Sequence, residues 1–300
     1  MIVAFGSINL DLIFQLDRLP VPGQTVLGPS MRMEPGGKGA NQAVAAARDG
    51  AVVVFAGAVG RDPLAGPALA LIAEAGIELS RVARVETATG CASICVDRDG
   101  RKLIAVGSGA NRAACAAQIE NALLSPTTTV LLQMETDPAE TASLIHRARI
   151  GGARIVLNLA PFVPLDLAAL RAVDVLVVNE DEAAELAELL GVPAGAAALH
   201  GALGVAVVRT LGGAGLDACS DGAVYRLPAS AVEVVDTTAA GDCFTGVLAA
   251  ALDRGASLAA ALGRATVAAG LCCTRAGTQG SLPYRADIDA AMPAALLAES

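Results

Sequence analysis

The strongest constraint on the fold is a regular alternation of apolar runs and helical segments in the second half of the chain. Apolar runs of strand length occur at residues 130–134, 154–159, 173–178 and 205–209. Helical patterns follow up to residue 149 and over residues 183–190. Strands that alternate with helices form parallel sheets with helices on both faces. The sequence therefore predicts the α/β class, with a doubly wound, mainly parallel sheet flanked by helices.

Polar segments follow these predicted strands at equivalent positions. Glu135 follows the first strand, residues 179–182 (NEDE) follow the third, and residues 210–215 (TLGGAG) follow the fourth. In an open α/β sheet, ligands bind in a crevice at the carboxyl ends of the strands. Each segment alone could be a helix cap or a turn, but their recurrence favours a ligand-binding crevice.

A turn of small residues at 236–244 (DTTAAGDCF) leads from an apolar alternating segment into an alanine-rich helical pattern. Unpaired backbone N–H groups at a helix start form a ready site for an anion. A carboxylate there repels an anion, so Asp242 makes sense if it takes a proton from a hydroxyl that then attacks a phosphate. The alternative is a helix start whose acidic residue is favoured by the helix dipole. This segment alone leaves both interpretations open.

The N-terminal segment 6–11 (GSINLD) follows the first predicted strand. It lacks the GxGxxG pattern of a dinucleotide-binding site. In an extended chain, Asn9 and Asp11 point to the same side, where a ligand could contact both. The alternative is capping at the end of a strand.

A glycine-rich segment at residues 35–42 (PGGKGANQ) precedes a helical pattern. It is not a Walker P-loop, because the pattern GxxxxGK[ST] is not matched. Its glycines allow the backbone to approach a ligand closely. We interpret the segment, with Lys38 and the Asn41 amide, as a binding site for a polyhydroxylated small molecule.

Short strand patterns predict a small antiparallel sheet apart from the main one. Two strands and a hairpin around an Asp-Gly turn are predicted at residues 12–16, 25–28 and 89–106. We expect them to form a lid or a dimer surface, built from approximately residues 12–35 and 88–108. A helix is predicted over residues 112–124. The whole chain, residues 1–300, is expected to be a single domain.

Charge and composition exclude several classes of partner. The net charge is −9 and lysine and arginine form no run, which argues against nucleic acid or an anionic membrane as the main partner. No stretch reaches ~18 uninterrupted apolar residues, so no membrane-spanning helix is expected. The polar Asn9 and Asp11 interrupt the first apolar run, unlike a signal peptide. Seven cysteines without a CxxC pair favour reduced thiols and a cytoplasmic location.

Taken together, these segments resemble the PfkB family of carbohydrate kinases. The matching motifs, in family order, are GSINLD at 6–11, PGGKGANQA at 35–43, GAN at 109–111, QME at 133–135, NLAP at 158–161, NEDE at 179–182, TLG at 210–212 and DTTAAGDCF at 236–244. They extend over essentially the whole chain, and the GGKGAN form is similar to the branch of the family that phosphorylates ribose. The resemblance implies a doubly wound α/β domain with a small β lid that forms a homodimer contact.

The resemblance also implies an activity and a set of functional residues. The implied reaction transfers the γ-phosphoryl group of ATP to the hydroxymethyl group of a pentose, with D-ribose giving ribose 5-phosphate. Asp242 would be the base, and the backbone N–H groups of Ala239, Ala240 and Gly241 would form the anion hole. The residues implied to hold the sugar, besides Asp242, are Asn9, Asp11, Gly37, Lys38, Asn41 and Glu135.

Cofactor residues follow from the same resemblance. The residues implied to arrange Mg²⁺ and the phosphates, mostly through water, are Asn179 and Glu182. The residues implied to line the ATP site are Thr210, Gly212 and Gly215. The residues implied to bind an activating monovalent cation, usually K⁺, partly through carbonyl groups, are Asp236, Thr238, Arg275, Gly277 and Ser281.

Other functions stay open at this point. The acceptor could be another sugar or a nucleoside, such as fructose, ketodeoxygluconate or pseudouridine. A non-catalytic sugar-binding regulator would require a damaged base or anion hole, whereas Asp242 and Gly241 are both present. Only 2% of the residues are aromatic, so the sequence does not reveal what packs against the adenine.

Overall fold

A computed structural model describes residues 1–292. Within them the strands are β1 (Ile2–Phe5), β2 (Asn9–Gln15), β3 (Ser30–Gly36), β4 (Val53–Gly60), β5 (Glu78–Val85), β6 (Gly90–Val96), β7 (Lys102–Gly107), β8 (Thr129–Leu132), β9 (Arg154–Asn158), β10 (Val175–Val178), β11 (Ala206–Thr210), β12 (Leu216–Ser220) and β13 (Ala223–Leu227). The helices are α1 (Lys38–Arg48), α2 (Ala65–Glu74), α3 (Pro138–Gly151), α4 (Leu167–Leu170), α5 (Glu180–Leu190), α6 (Ala196–Leu203), α7 (Ala240–Asp253), α8 (Leu258–Cys273) and α9 (Arg285–Ala291). The predicted single domain extends to residue 300, and residues 293–300 lie outside this description.

The large sheet has nine strands in the described residues, in the order β13-β12-β11-β10-β9-β8-β1-β4-β5. From β11 to β5 all neighbours pair in parallel, and only β12 and β13 at one edge pair antiparallel. The doubly wound, mainly parallel sheet flanked by helices is therefore confirmed. The carboxyl ends of β1, β8, β9, β10 and β11 all lie along one edge.

Successive residues of each central strand bury their side chains in opposite layers, because side chains alternate across a strand. In β1, Ile2 and Ala4 belong to one apolar core, whereas Val3 and Phe5 belong to the other. The first core lies under α1, α7 and α8, and the second lies under α3, α5 and α6. Burial on both faces explains why these strands read as continuous apolar runs.

Small residues allow α1 and α7 to pack unusually close together. A Cβ atom added at Gly246 in α7 would come within 2.3 Å of the Gln42 carbonyl oxygen in α1. Alanines on both helices fill the rest of the contact, including Ala45, Ala46 and Ala249. The alanine-rich composition is thus a packing requirement, and it brings the polar first turn of α1 against the start of α7.

A buried ion-pair cluster fixes α1 relative to the following helices. The Asp49 carboxylate at the end of α1 is fully buried and accepts a hydrogen bond from Arg254 (2.6 Å) and several from Arg264. Arg254 follows α7, and Arg264 lies in α8. Since a buried carboxylate is stable only when paired, this cluster restricts how the three helices can be arranged.

The small sheet has the strand order β3-β2-β6-β7. The outer pairs β2–β3 and β6–β7 are antiparallel, as expected, whereas the central pair β2–β6 is parallel. The strand predicted at residues 25–28 is wrong, because the partner of β2 is β3, which begins at Ser30. We call this sheet the lid, since its two central strands start next to the site described below.

The helix predicted over residues 112–124 is wrong. The chain there forms three short 3-10 turns, Gly109–Ala113, Ala116–Gln118 and Asn121–Leu123. Arg147 in α3 donates hydrogen bonds to the carbonyl groups of Ala116 and Ile119. The Ala116 carbonyl also accepts from the Ile119 N–H (3.1 Å), so the backbone here closes short 3-10 turns instead of a continuous helical ladder.

The strands β5 and β13, at the two edges of the large sheet, and β12, next to β13, had no clear sequence signal. Charged residues interrupt their apolar patterns, because the edge of a sheet is partly exposed to water. Within residues 1–292, no helix combines the length and apolarity needed to cross a membrane.

Candidate active site

The start of α7 forms the centre of the site. Ala239 caps the helix in the left-handed conformation, with φ of 61°, and the helix runs for 14 residues. We call residues 236–239 the entry turn. A Cβ atom added at Gly241 would meet no atom within 4 Å, so the space beside this first turn is open. Backbone N–H groups at an open helix start can bind an anion.

Asp242, in the first turn of α7, is held on both carboxylate oxygens. Asn41 donates a hydrogen bond to Oδ2 and Gln42 donates one to Oδ1, and each donor–acceptor distance is 3.0 Å. Gln42 Nε2 also donates to Oδ1 of Asn158 at the end of β9, again over 3.0 Å. Asp242 is only 8% exposed. The carboxylate is thus oriented beside the open helix start.

Gln42 was not predicted as a site residue. It belongs to the PGGKGANQ segment, but its link to Asp242 spans 200 positions along the chain. The close packing of α1 on α7 creates this contact. Gln42 therefore acts as a positioning residue for Asp242.

Gln42→Met should lower kcat by about tenfold and leave the KM for ATP unchanged, because Asp242 loses one of its two orienting hydrogen bonds. Steady-state kinetics measure both constants. The matched control is Gln133→Met, since Gln133 is also buried but donates to the carbonyl of Phe5 (2.7 Å). An equal loss of kcat in both variants would reduce the role of Gln42 to general stability.

Glu135 follows β8 and is anchored from two directions. Its Oε2 accepts a hydrogen bond from the Ser7 hydroxyl (2.6 Å) and from the backbone N–H of Lys38 (3.0 Å). Ser7 in turn accepts from the backbone N–H of Gly39 (3.1 Å). A Cβ atom at Gly39 would lie 2.6 Å from the Ser7 nitrogen, so glycine is needed there. Ser7 is a second residue that the sequence did not single out.

The prediction that Asn9 and Asp11 end the first strand is wrong, because both residues lie at the start of β2, a strand of the lid. Both are buried, at 3% and 6% exposure. Asn9 Oδ1 accepts a hydrogen bond from Asn111 (2.7 Å), whose own Oδ1 accepts from the N–H of Ile8 (2.8 Å). A Cβ atom at Gly90 would lie within 2.3 Å of both amides, so glycine makes room for this pair.

The Asp11 carboxylate lies in an acidic environment. Burial and the nearby carboxylates of Glu135, Glu34 and Asp242 raise the pKa of Asp11 to about 7. A Cβ atom at Gly36 would lie 2.2 Å from this carboxylate, so the facing strand leaves space for it. The buried carboxylate is therefore costly to ionise unless a ligand offers hydrogen-bond donors.

Lys38 supplies positive charge to the same site. Burial lowers the pKa of Lys38, but three surrounding carboxylates outweigh that effect and raise it overall. Those carboxylates belong to Asp242, Glu135 and Glu182. Lys38 therefore stays protonated and offsets part of the local negative charge, which an anionic ligand requires.

A cavity of ≈ 470 Å³ lies in front of the start of α7, and we call it the acidic cleft. Its lining includes Lys38, Asn158, Asn179, Glu182, Thr210 and Asp242. Asn179 and Glu182 cap α5 reciprocally, since Asn179 Oδ1 accepts from the Glu182 N–H and Glu182 Oε2 accepts from the Asn179 N–H, both over 2.8 Å. Burial raises the pKa of Glu182. These oxygen groups fit Mg²⁺ with its bound waters, because magnesium prefers few carboxylates and keeps water.

A second cavity of ≈ 350 Å³ continues from the acidic cleft, and we call it the apolar cleft. The two cavities share Thr210, Gly212, Thr237, Ala240 and Gly241. The side chains that the sequence did not identify here are Leu216, Val232, Val234, Phe244, Ala269 and Cys273. Small and aliphatic residues together with one aromatic side chain, Phe244, therefore provide a slot that a flat apolar group could occupy.

Gly215 lines the apolar cleft and also has a structural role. Its φ is 96°, and a Cβ atom there would lie 2.0 Å from the carbonyl oxygen of Leu227. Thr210 ends β11, and its hydroxyl donates to the Val178 carbonyl (3.4 Å). Gly212 lies between them on the wall that both cavities share. The TLGGAG segment thus forms part of the wall of the apolar cleft.

The predicted cation site has a different arrangement around Asp236. Oδ1 accepts from the Thr238 N–H (2.9 Å), the Thr238 hydroxyl (2.6 Å) and the Lys102 ammonium group (2.9 Å), while Oδ2 accepts from the Gly277 N–H (3.2 Å). Although burial opposes ionisation, the hydrogen bonds from Thr238, Lys102 and Gly277 hold the pKa of Asp236 at about 2. This carboxylate fits a further cation poorly, since an ammonium group already contacts it.

The other two predicted cation residues lie in the same loop as Gly277 but make different contacts. The Ser281 hydroxyl is buried and donates to the Thr278 carbonyl (2.7 Å). The Arg275 side chain is about half exposed and lies 3.6 Å from Asp287. The monovalent-cation assignment stays a prediction.

The structure brings the predicted sugar, phosphate and base residues into one crevice at the carboxyl edge of the large sheet. Asn41 Oδ1 is buried there and makes no hydrogen bond within the described residues, so it can accept one from a ligand hydroxyl. A hydroxyl held near Asp242 and an anion at the start of α7 would be neighbours. The arrangement can therefore support transfer of a phosphoryl group to an alcohol.

Comparisons with known proteins agree with this geometry. The family model described as pfkB family carbohydrate kinase matches residues 1–285. A ribokinase of Bacillus subtilis (strain 168) is 36% identical over 292 residues, which cover 96% of this chain and 98% of the relative. Sequence similarity thus extends over nearly the whole of both proteins.

Solved structures show the same architecture. The crystal structure of a ribokinase from Thermotoga maritima has a TM-score of 0.87 at 31% identity, covering 96% of this chain and 98% of that chain. The structure of Arabidopsis thaliana ribokinase complexed with ribose and ATP has a TM-score of 0.86 at 30% identity, covering 97% and 98%. The similarity in fold therefore extends over nearly the whole length of this chain and of both ribokinases.

Proposed function

The chain belongs to the pfkB family of carbohydrate kinases, and from that premise we propose that it transfers the γ-phosphoryl group of ATP to the hydroxymethyl group of D-ribose. The observation that carries this proposal is the Asp242 carboxylate, oriented by Asn41 and Gln42 beside the open start of α7. The relatives named ribokinase at 30–36% identity support ribose as the acceptor.

Asp242 accepts the proton of the attacking hydroxymethyl group. The hydroxyl oxygen then forms a bond to the γ-phosphorus as the bond to the bridging oxygen of ADP breaks. The N–H groups of Ala239, Ala240 and Gly241 stabilise the charge on the equatorial oxygens of the transferred group. Lys38, whose ammonium group stays charged, offsets negative charge on the acceptor side.

The sugar is held by groups at the base of the lid and on α1. Asp11 and Glu135 accept hydrogen bonds from its hydroxyls, and Asn9 and Asn41 contribute amide groups. Gly37 lies next to these groups. Its φ of 89° and its close approach to the Asn9 nitrogen leave no room for a side chain, so glycine is needed there. Ionisation of Asp11 is then favoured by the hydroxyl donors of the bound sugar.

ATP occupies both clefts in this proposal, with adenine in the apolar cleft and the phosphates in the acidic cleft. Asn179 and Glu182 are the residues that would hold Mg²⁺ with its bound waters. When bound, Mg²⁺ neutralises phosphate charge that the acidic residues of the cleft would otherwise repel. The K⁺ implied by the family resemblance is less well supported, because Asp236 already pairs with Lys102.

A substrate panel tests the proposal. ADP formation from ATP and Mg²⁺ should be fastest with ribose, compared with deoxyribose, fructose, ketodeoxygluconate and nucleosides, each with and without K⁺. Activity on nucleosides with none on ribose would replace the acceptor but keep the kinase assignment. No ATP consumption with any acceptor would overturn both.

The lid supports a further part of the proposal, a homodimer. Ile104 and Val106 pair with Ile94 and Ala92 across the lid and share their face. Ile94 and Ala92 are buried, whereas Ile104 and Val106 are 54% and 50% exposed. An apolar face that continues beyond the cover of its own chain fits a second copy.

Ile104→Lys should convert the dimer into a monomer, because a charge placed in an apolar contact must be desolvated. Sedimentation velocity measures the change. Ile150→Lys is the control, since Ile150 in α3 is 87% exposed and lies outside the lid. A wild-type protein that sediments as a monomer would contradict the dimer.

A reducing location is part of the same proposal. All seven cysteines are free thiols in the described residues. Several are buried beside the site, including Cys243 and Cys272. Reduced buried thiols are typical of cytoplasmic proteins.

A further inference from the structure

The lid reaches the entry turn through one charged side chain. Lys102 is the first residue of β7 and follows the tight turn of the lid hairpin. Its ammonium group lies 2.9 Å from Asp236 Oδ1 and also contacts the Thr238 hydroxyl. The Lys102 and Asp236 side chains are 29% and 17% exposed, so this ion pair is partly shielded from water. Shielded pairs are screened less by salt than exposed ones.

A second lid residue contacts the loop on the other side of Asp236. Glu34 in β3 accepts a hydrogen bond from the Thr278 N–H (3.0 Å) and pairs with Arg32 (2.6 Å). Asp236 itself accepts from the Gly277 N–H (3.2 Å). The lid, the entry turn and the loop at residues 275–281 are therefore linked through Asp236 and its neighbours.

The entry turn leads directly into the predicted anion hole. Asp236 and Thr238 are followed by Ala239, whose left-handed conformation places the N–H groups at the start of α7. Fixing the side chains of residues 236 and 238 restricts how the turn can move. A cation at this carboxylate would thus influence the anion hole without contacting the substrate.

We propose that Lys102 is that cation: its ammonium group, carried by the lid, takes the place of the monovalent ion that the family resemblance implies at Asp236. Lys102 is then a positioning residue that couples lid docking to the order of the anion hole. The coupling between lid docking and the anion hole rests on the proposed function. The role of Lys102 as the cation at Asp236 does not.

The chemistry of the two cations is similar enough for this exchange. A primary ammonium group carries one positive charge and offers three N–H donors, which the Asp236 carboxylate and the Thr238 hydroxyl can accept. A second cation at the same carboxylate would be repelled by the ammonium charge. The other basic group facing this region, Arg32, is already paired with Glu34.

Three proteins test the proposal: wild type, Lys102→Met, and the control Arg98→Met. Arg98 lies in the same hairpin and pairs with Asp17 (2.9 Å) instead of Asp236. Each is measured in choline chloride and in KCl at equal ionic strength. The two readouts are the midpoint of thermal unfolding and kcat in the ribose kinase assay.

Wild type and Arg98→Met should give the same midpoint and kcat in both salts. Lys102→Met should lose about tenfold in kcat in choline chloride, as for one charged hydrogen bond, and regain it in KCl with a higher midpoint. Strong activation of wild type by K⁺ would overturn the proposal, as would a Lys102→Met variant that matches wild type in choline chloride.

The midpoint separates this proposal from the proposed function. A K⁺-dependent midpoint in Lys102→Met, but not in wild type, supports the charge role even if ribose is not the acceptor. A midpoint of Lys102→Met that does not respond to K⁺ overturns the charge role even if the ribose kinase assay succeeds.

Discussion

Asp242→Asn is expected to reduce kcat by about 10²–10⁴-fold, because the amide cannot take the proton of the attacking hydroxyl. Binding of ATP and sugar should remain close to that of the wild type. The side chain keeps its size, and its remaining carbonyl oxygen can still accept a hydrogen bond from one of the two donors, Asn41 or Gln42. Steady-state kinetics give kcat, and titration calorimetry gives the two dissociation constants.

The control for Asp242→Asn is Asp181→Asn. Asp181 is an exposed residue of α5 that lines the same acidic cleft, so the two variants change the charge of the cleft equally. Near-normal kcat in Asp242→Asn would remove the base from the mechanism. An equal loss in Asp181→Asn would show that charge in the cleft, rather than proton transfer, limits the rate.

Asp11→Asn is expected to raise the KM for sugar by about 10–100-fold, the value of one or two charged hydrogen bonds. The wild type should show a related pH dependence. Because the pKa of Asp11 is about 7 in the free protein, the fraction of ionised carboxylate falls as the pH drops below 7. The KM of the wild type should therefore rise by roughly tenfold per pH unit there, whereas that of the variant should not.

Whereas sugar binding should improve as the pH rises, the stability of the ligand-free protein should decrease. The pKa of Asp11 rises on folding from 3.8 to about 7, so the folded state binds the proton more tightly. That contribution is fully present below pH 3.8 and is lost as the pH rises to 7. At pH 8, Asp11→Asn should therefore be more stable than wild type, by at most on the order of 4 kcal/mol. Urea denaturation at pH 8 measures the difference in unfolding free energy. A variant less stable than wild type would contradict the view that ionising the buried Asp11 carboxylate destabilises the folded state.

Much of the fold was predictable because local patterns determine it. Four apolar runs with helices between them predict a parallel sheet, and β8 to β11 confirm that prediction. The small lid was also predictable from its hairpin signal. Its parallel central pair was not, because β2 and β6 are separated in sequence by β3, α1, β4, α2 and β5.

The site was predictable where single segments carry it. The turn before α7 and the glycine-rich start of α1 both lie in the crevice, and the family resemblance is confirmed. Ala239 has a left-handed backbone conformation, which costs about 1–2 kcal/mol for a residue other than glycine. The residue type was visible, whereas its strain was not.

The residues that support the site were not predictable from local patterns. Gln42 and Asp242 are 200 positions apart, Ser7 and Glu135 are 128 apart, and Lys102 and Asp236 are 134 apart. Each pair depends on how two elements pack, so Gln42, Ser7 and Lys102 are not distinguished in their own segments. The apolar cleft has the same origin, because apolar residues from separate strands, loops and helices form it.

Phosphorus-31 NMR of the product made from ribose and ATP tests the central claim most directly. Transfer to a hydroxymethyl group gives a phosphate monoester whose resonance is split into a triplet by both protons of one methylene group. We expect that triplet to appear as ADP forms, and to grow about 10²–10⁴-fold more slowly with Asp242→Asn. A doublet, which reports a phosphate on a ring carbon, or inorganic phosphate as the only product would contradict the account.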